Sequence, residues 1–171
     1  MAAPNWVLTL SYWLHMIATV VWIGGLAALT LFVLPAAKRT LQSQPYTALL
    51  DKLQNRLQSI GWFSLAVLVV TGMFQLSSSP SYKGFLIIQN PWAWAILLKH
   101  LVIGVMIAIS AYLSWGLSPE LGRLALLQSK GALNNNSLLE RLQSRQLIFL
   151  RINLAIGVVI LALTAWARTS G

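Results

Sequence analysis

The chain has 171 residues, of which 57% are apolar and only 9% are charged, and its mean hydropathy is +0.71. This composition excludes a soluble globular domain and indicates an integral membrane protein that is surrounded by the lipid bilayer. Because the chain contains no cysteine, disulfides and thiolate metal sites are excluded as well.

Four continuously apolar segments are long enough to cross a hydrocarbon core as helices, which takes about 20 residues each. They cover residues 7–35, 59–77, 92–117 and 147–167. Because these segments lack the alternation of a barrel strand, their backbone groups must be satisfied within helices. The sequence therefore predicts an all-α fold, in which one four-helix transmembrane bundle occupies residues 1–171.

The first apolar segment carries no charge between Met1 and Ala37. Since no basic region precedes it and it is longer than the core of a signal peptide, we interpret it as a retained membrane span. Its small residues Gly24, Gly25 and Ala28 could form a close helix contact, so the sequence also permits a homodimer.

The net charge of +9 is concentrated in two of the three predicted loops. The basic residues of these two loops are Lys38, Arg39, Lys52, Arg56, Arg123, Lys130, Arg141 and Arg145, whereas the remaining loop has only Lys83. The positive-inside rule places both basic loops in the cytoplasm and both termini outside, as in a bacterial inner or thylakoid-type membrane. Charge arranged in this way argues against nucleic acid as a partner.

Leucines recur at helical spacing beside the basic residues of both cytoplasmic loops. The leucines are Leu49, Leu50, Leu53 and Leu57 in the first loop and Leu138, Leu139 and Leu142 in the second. This pattern predicts amphipathic extensions of the second and fourth helices on the cytoplasmic side. We expect them to rest on anionic headgroups, with docking of a partner protein as the alternative.

Local signals predict where the third helix begins and how the second and fourth helices are tied to their neighbours. Pro91 and Trp92 mark the start of the third helix, since proline favours the first turn and tryptophan favours the membrane interface. Gln75 and Asn153 are polar residues within apolar spans, so we expect them to form hydrogen bonds between helices.

The only two histidines, His15 and His100, both lie inside apolar spans. Each is about eight residues from the outer end of its span, roughly 12 Å deep at 1.5 Å per residue. Two neutral imidazoles at one depth can supply both axial ligands of a haem iron or two nitrogens to a copper ion. The alternative is that each imidazole bonds a backbone carbonyl or a hydroxyl group and stabilises helix packing.

We predict that haem b binds between the first and third helices, with His15 and His100 as axial ligands. The haem is non-covalent because no cysteine is present to attach it. Lys99 either extends to the nearer interface or pairs with a carboxylate of the ligand, and Trp22 lies two turns from His15 on the same face. This prediction implies electron transfer or redox chemistry in the membrane and a redox partner protein, and it leaves a membrane oxidoreductase open.

Copper binding or transport is the alternative function. His15 and His100 would again be the metal ligands, together with thioethers drawn from Met16, Met73 and Met106. The methionines form no cluster in the sequence, and methionine in a membrane core more often serves packing. The haem prediction is therefore placed first and copper second.

The sequence His15, six residues, Trp22, then Ile23-Gly24-Gly25, followed by Lys99-His100 in a second hairpin, resembles the CopD domain of bacterial copper-resistance proteins. The resemblance spans essentially the whole chain, since that domain is a four-helix unit. It implies a role in copper handling across or within the membrane, with His15 at the matched position.

A more distant similarity links the chain to the HemJ-type protoporphyrinogen oxidases, another four-helix family. His15, Trp22 and Lys99 match the histidine, tryptophan and lysine of that family. This similarity implies a tetrapyrrole pocket and, as a further alternative, porphyrinogen oxidation. A subunit without catalysis, which acts in assembly or partner binding through its amphipathic loops, is the remaining hypothesis.

Overall fold

A computed structural model of the protein describes residues 4–40, 43–79, 91–130 and 136–170, and Lys83 lies outside these ranges. The described residues form helices and no strand. In chain order the elements are α1 (Asn5–Ala27), a first π-helical segment (Ala28–Val33), α2 (Leu34–Thr40), α3 (Ser43–Ser77), α4 (Pro91–Ala111), a second π-helical segment (Tyr112–Leu117), α5 (Ser118–Ser129) and α6 (Asn136–Thr169).

Within the described ranges, four helical stretches are long and apolar enough to cross a membrane, as the sequence predicts. They are Asn5–Ala37, Arg56–Ser77, Pro91–Gln128 and Ser137–Thr169. The predicted start of the third span at Pro91 is confirmed. That span continues further than expected, however, because the chain passes through the second π-helical segment directly into α5 instead of entering a loop.

The first and third spans share one irregularity at corresponding positions. At the end of the first π-helical segment, the N–H of Leu34 donates to the carbonyl five residues back, that of Leu29, and Ser118 bonds Leu113 in the same way. Pro35 or Pro119 follows directly. Since proline has no N–H and its ring collides with the carbonyl four residues back, the wider π turn before each proline makes room for that ring.

The two hairpins of the chain pack in the same manner. Helix α1 lies along α3 and α4 lies along α6, while α1 and α6 also touch, with Ile23 against Gly157. The guanidinium carbon of Arg168 lies 5.4 Å from the ring centroid of Tyr12, so the C-terminal end of α6 meets the start of α1. We call this the terminal end of the bundle, and the opposite end, where the basic residues collect, the basic end.

Packing differs between the two halves of the bundle. Toward the basic end the buried residues form an apolar cluster, which consists of Leu29, Leu34, Ala37, Leu113, Leu117, Leu142 and Leu150. Toward the terminal end Ile160 and Leu163 are buried, but many of the other buried positions are small or polar, for example Ser11, Ala18, Thr71 and Ala95. Small side chains let helices approach closely, and hydroxyl groups there can join neighbouring helices through hydrogen bonds.

The predicted helical extensions are present, but their leucines do not all face the headgroups. Helix α3 begins at Ser43 and α6 at Asn136, well before their apolar segments. Leu139 and Leu142 of α6 are nevertheless buried inside the protein, with exposed fractions of 6% and 7%. The expectation that this face rests on anionic headgroups is therefore wrong for these two leucines, because α5 packs against α6.

The small-residue face of α1 is divided between the bundle and its outside. A Cβ atom added to Gly25 would lie 3.6 Å from Leu57 of α3, so this glycine serves packing within the bundle. Gly24 and Ala28 are exposed. The homodimer therefore stays a prediction, and of these three residues only Gly24 and Ala28 are exposed for contact with a second copy.

Candidate functional site

His15 is half-buried and turned toward α3. Its Nδ1 atom lies 2.8 Å from the Oγ1 atom of Thr71, and that hydroxyl group lies 2.6 Å from the carbonyl oxygen of Val67. A hydroxyl group has one proton, which the shorter contact to Val67 uses. The Nδ1–H of His15 therefore donates to Thr71, and the lone pair of the neutral imidazole is on Nε2.

The surroundings of His15 fix the position of its ring. A Cβ atom added to Gly72 would lie 3.5 Å from Cε1 of the imidazole, so the glycine lets α3 approach the ring closely. One turn away, Nε2 of Gln75 donates to the carbonyl oxygen of Ser11 at 3.1 Å. The prediction that Gln75 forms a hydrogen bond between helices is thus confirmed, and α1 and α3 are joined at His15 and again one turn nearer the terminal end.

His100 has a different environment. It is exposed, and its Nδ1 lies 2.7 Å from the carbonyl oxygen of Ile96 on its own helix, to which it donates. A Cβ atom added to Gly104, one turn further on, would meet nothing within 4 Å. The hydrogen bonds of His15 and His100 thus place the two imidazoles against different surfaces, α3 for one and the outside of α4 for the other.

Lys99, instead of His100, is the counterpart of His15 in the second hairpin. Lys99 precedes Tyr112, the start of its π-helical segment, by the same number of residues as His15 precedes Ala28. Lys99 is half-buried, and its ammonium group is near enough to act electrostatically on the imidazole of His15. We therefore treat His15 and Lys99 as one candidate site.

Trp22 lies further along α1, away from the imidazole of His15. A Cβ atom added to Gly61 of α3 would lie 3.8 Å from the indole ring of Trp22. Together with Gly61 and Asn153, Trp22 lines a cavity of about 100 Å³ between all four spans, which we call the central cavity. Pockets for larger organic ligands measure roughly 300 Å³ or more, so the central cavity is too small for a macrocycle.

The methionines do not converge on His15. Met16 and Met73 are exposed to 65% and 49%, and Met106 is buried in the packing of the bundle. Among the described residues, no group of three or more His, Cys, Asp or Glu side chains could hold a metal ion. A metal ion bound at His15 would therefore have few protein ligands.

The model of the CopD family, which is described as Copper resistance protein D, matches residues 51–167. This is more than half of the chain. The chain belongs to the CopD family. This confirms the resemblance to the CopD family, although over residues 51–167 instead of essentially the whole chain. The similarity to the HemJ-type enzymes stays a prediction. A search of curated proteins and of solved structures returned no match.

The CopD match includes one half of the site only. Lys99, His100 and Thr71 lie within the matched residues, whereas His15 and Trp22 lie before them. The match therefore covers the whole membrane-spanning part of α3, all of α4 and α5, and α6 as far as Ala167. The assignment of His15 rests on its own geometry in this chain.

Sequence reasoning missed Thr71, the residue of α3 whose hydroxyl group bonds the imidazole of His15. A hydroxyl residue next to a glycine, Thr71-Gly72, in an otherwise apolar stretch was the available signal. It was not sufficient, because threonine in a membrane helix commonly bonds its own backbone, as Thr71 also does toward Val67.

Proposed function

We propose that this CopD-family protein handles copper within the membrane and binds the ion through Nε2 of His15. The observation that carries the proposal is the hydrogen bond from Nδ1 of His15 to Thr71, at 2.8 Å. Metal-bound histidines almost always donate their other ring N–H to a neighbouring acceptor, which orients the ring. Imidazole nitrogen is a suitable ligand for copper.

The rest of the site favours passage of copper over storage. Lys99 places a positive charge near the imidazole, which disfavours a second cation there. The described residues also offer no cluster of further ligands. A site that binds weakly enough to release its ion suits transfer. Copper is therefore the cargo of this protein in our account, and an anionic co-ligand beside Lys99 would complete its coordination.

A second candidate is a haem b protein that uses His15 and His100 as axial ligands. It is supported by the two Nδ1 hydrogen bonds, which leave Nε2 free on both rings, and by Lys99, which could pair with a propionate group. Such a haem would supply one-electron transfer, and a redox partner would be needed. The exposed position of His100 is the reason that we place this candidate second.

The two candidates are separated by one preparation of the purified protein. The wild type, His15→Ala and His100→Ala are loaded with Cu(I), desalted, and examined by metal analysis and by absorption spectroscopy before and after reduction. We expect copper in the wild type and in His100→Ala but not in His15→Ala. A Soret band that is lost in both variants would replace copper with haem, and a protein that binds neither would favour a role in assembly or partner binding.

A further inference from the structure

Asn153 of α6 carries a buried polar atom without a partner. The residue is only 2% exposed, and its Nδ2 donates to the hydroxyl oxygen of Ser110 on α4 at 2.8 Å. Ser110 uses its own proton toward the carbonyl oxygen of Met106 at 2.9 Å. The Oδ1 atom of Asn153 therefore has no donor in the described part of the chain.

An unpaired amide oxygen at this depth needs an explanation, because leaving a buried acceptor unsatisfied costs about 1–3 kcal/mol. If the amide oxygen and nitrogen were exchanged, a donor instead of an acceptor would lack its partner. Water can satisfy either atom, since it both donates and accepts. A small polar molecule that reaches Asn153 would supply the missing hydrogen bond.

The central cavity provides the space for such a molecule. Asn153 and Ser110 line it, together with the polar residues Ser114 and Gln58. Its volume of about 100 Å³ would hold roughly three water molecules, at about 30 Å³ each. These polar side chains, together with neighbouring water molecules, offer the hydrogen-bond partners that ordered water requires.

The central cavity adjoins a second cavity, of about 630 Å³, toward the basic end. Gln58 and Ser114 line both cavities, so the two spaces lie next to each other at these residues. The second cavity continues past Ser118 to the exposed residues Arg123 and Lys130. Polar side chains thus occur from the charged surface to the centre of the bundle. Polar side chains at membrane depth usually face the interior of a bundle or a water-filled space.

We propose that these two cavities form one hydrated vestibule, which opens at the basic end and binds water or another small hydrogen-bond donor at Asn153. Its lining excludes His15, so the vestibule stands whether or not His15 binds copper. Because Arg123 and Lys130 carry positive charge at its mouth, the vestibule admits neutral or anionic solutes more readily than cations.

The natural absence of cysteine makes single-cysteine labelling a direct test. Ser114→Cys and Ser110→Cys place thiols at two depths in the vestibule, with Gln58→Cys as a second probe of the junction. Ala108→Cys is the matched control, since Ala108 is exposed on the outside of the same helix. Lys130→Cys marks the basic side in oriented proteoliposomes. The reagents are the membrane-impermeant sulfonatoethyl and trimethylammonioethyl methanethiosulfonates.

We expect Ser114→Cys to react from the side that labels Lys130→Cys, at least roughly tenfold faster than Ala108→Cys, because these reagents need a hydrated thiolate. Ser110→Cys should react more slowly than Ser114→Cys, because it lines only the smaller central cavity. Relative to a free thiol, the anionic reagent should react faster than the cationic one. Rates at Ser114→Cys and Gln58→Cys as low as at Ala108→Cys would show a dry or lipid-filled cavity and overturn the proposal. Labelling from the opposite side alone would overturn it as well.

Discussion

The Nδ1 atom of His15 and the Oγ1 atom of Thr71 lie 2.8 Å apart and join α1 to α3. Since the hydroxyl proton of Thr71 is used toward Val67, this contact determines which imidazole nitrogen keeps its lone pair. The contact therefore prepares Nε2 of His15 to bind a ligand.

Replacing Thr71 with valine tests this orienting role. Thr71→Val keeps the shape of the side chain but removes the acceptor for Nδ1–H, and losing such a contact typically weakens metal binding about 10- to 100-fold. Thr19→Val is the matched control, because the hydroxyl of Thr19 bonds the backbone oxygen of His15 and not its ring. Copper affinities of both variants, measured against a competing chelator, check the prediction. Equal affinities would contradict it.

Lys99→Met distinguishes copper from haem at the same site. Removing a nearby positive charge should strengthen copper binding, roughly three- to thirtyfold for a separation of several ångströms in a partly buried site. A haem whose propionate pairs with Lys99 would instead be retained less well. Lys99→Arg, which keeps the charge, should behave like the wild type. Weaker copper binding in Lys99→Met would count against the electrostatic part of our account.

Gly72 lies against the ring of His15, and substitutions there should act by size. A Cβ atom at this position would make an ordinary contact with Cε1 at 3.5 Å, so Gly72→Ala should fold and bind copper. Gly72→Leu should displace the imidazole, with at least about a tenfold loss of copper affinity when the ligand geometry is broken. The two variants are compared in one titration, after both are shown to elute as intact protein in detergent. Normal binding by Gly72→Leu would mean that the imidazole does not depend on α3.

Asn153 allows a test of hydration in the central cavity. Asn153→Leu removes the unpaired amide oxygen and fills part of the space with an apolar group. In the Ser114→Cys background this change should slow labelling by the anionic thiol reagent, since it reduces the polar lining that holds water. Leu154→Met, on the neighbouring position of α6, is the control. An unchanged labelling rate would contradict this prediction and would mean that reagents reach Ser114→Cys without the polar group of Asn153.

The four spans were predictable because their signal is composition over a length of about 20 residues, which tertiary packing does not alter. The start of α4 at Pro91 followed from local sequence in the same way. The π-helical segments were not predictable, since proline indicates a disturbance in a helix but not the form that the disturbance takes. The orientation of the bundle in the membrane stays a prediction from charge.

The site was predictable in part. An ionisable residue in an apolar span pointed to His15, and the sequence placed Lys99 among the candidates for ligand binding. Depth alone suggested that His15 and His100 correspond, because the depth of a residue can be calculated from its position in the span and the constant rise per residue of a helix. The direction of a side chain around its helix depends on the neighbouring helices, and one residue corresponds to about 100°. That rotation is why His100 is exposed and Lys99 is the structural counterpart of His15.

The most direct test of our central claim is a competition titration of the purified protein with Cu(I), carried out on the wild type, His15→Ala and His100→Ala. We predict that His15→Ala binds copper at least about tenfold more weakly, a loss of about 1.4 kcal/mol or more, while His100→Ala binds like the wild type. Equal affinity of His15→Ala and the wild type would contradict the claim that His15 is the copper ligand.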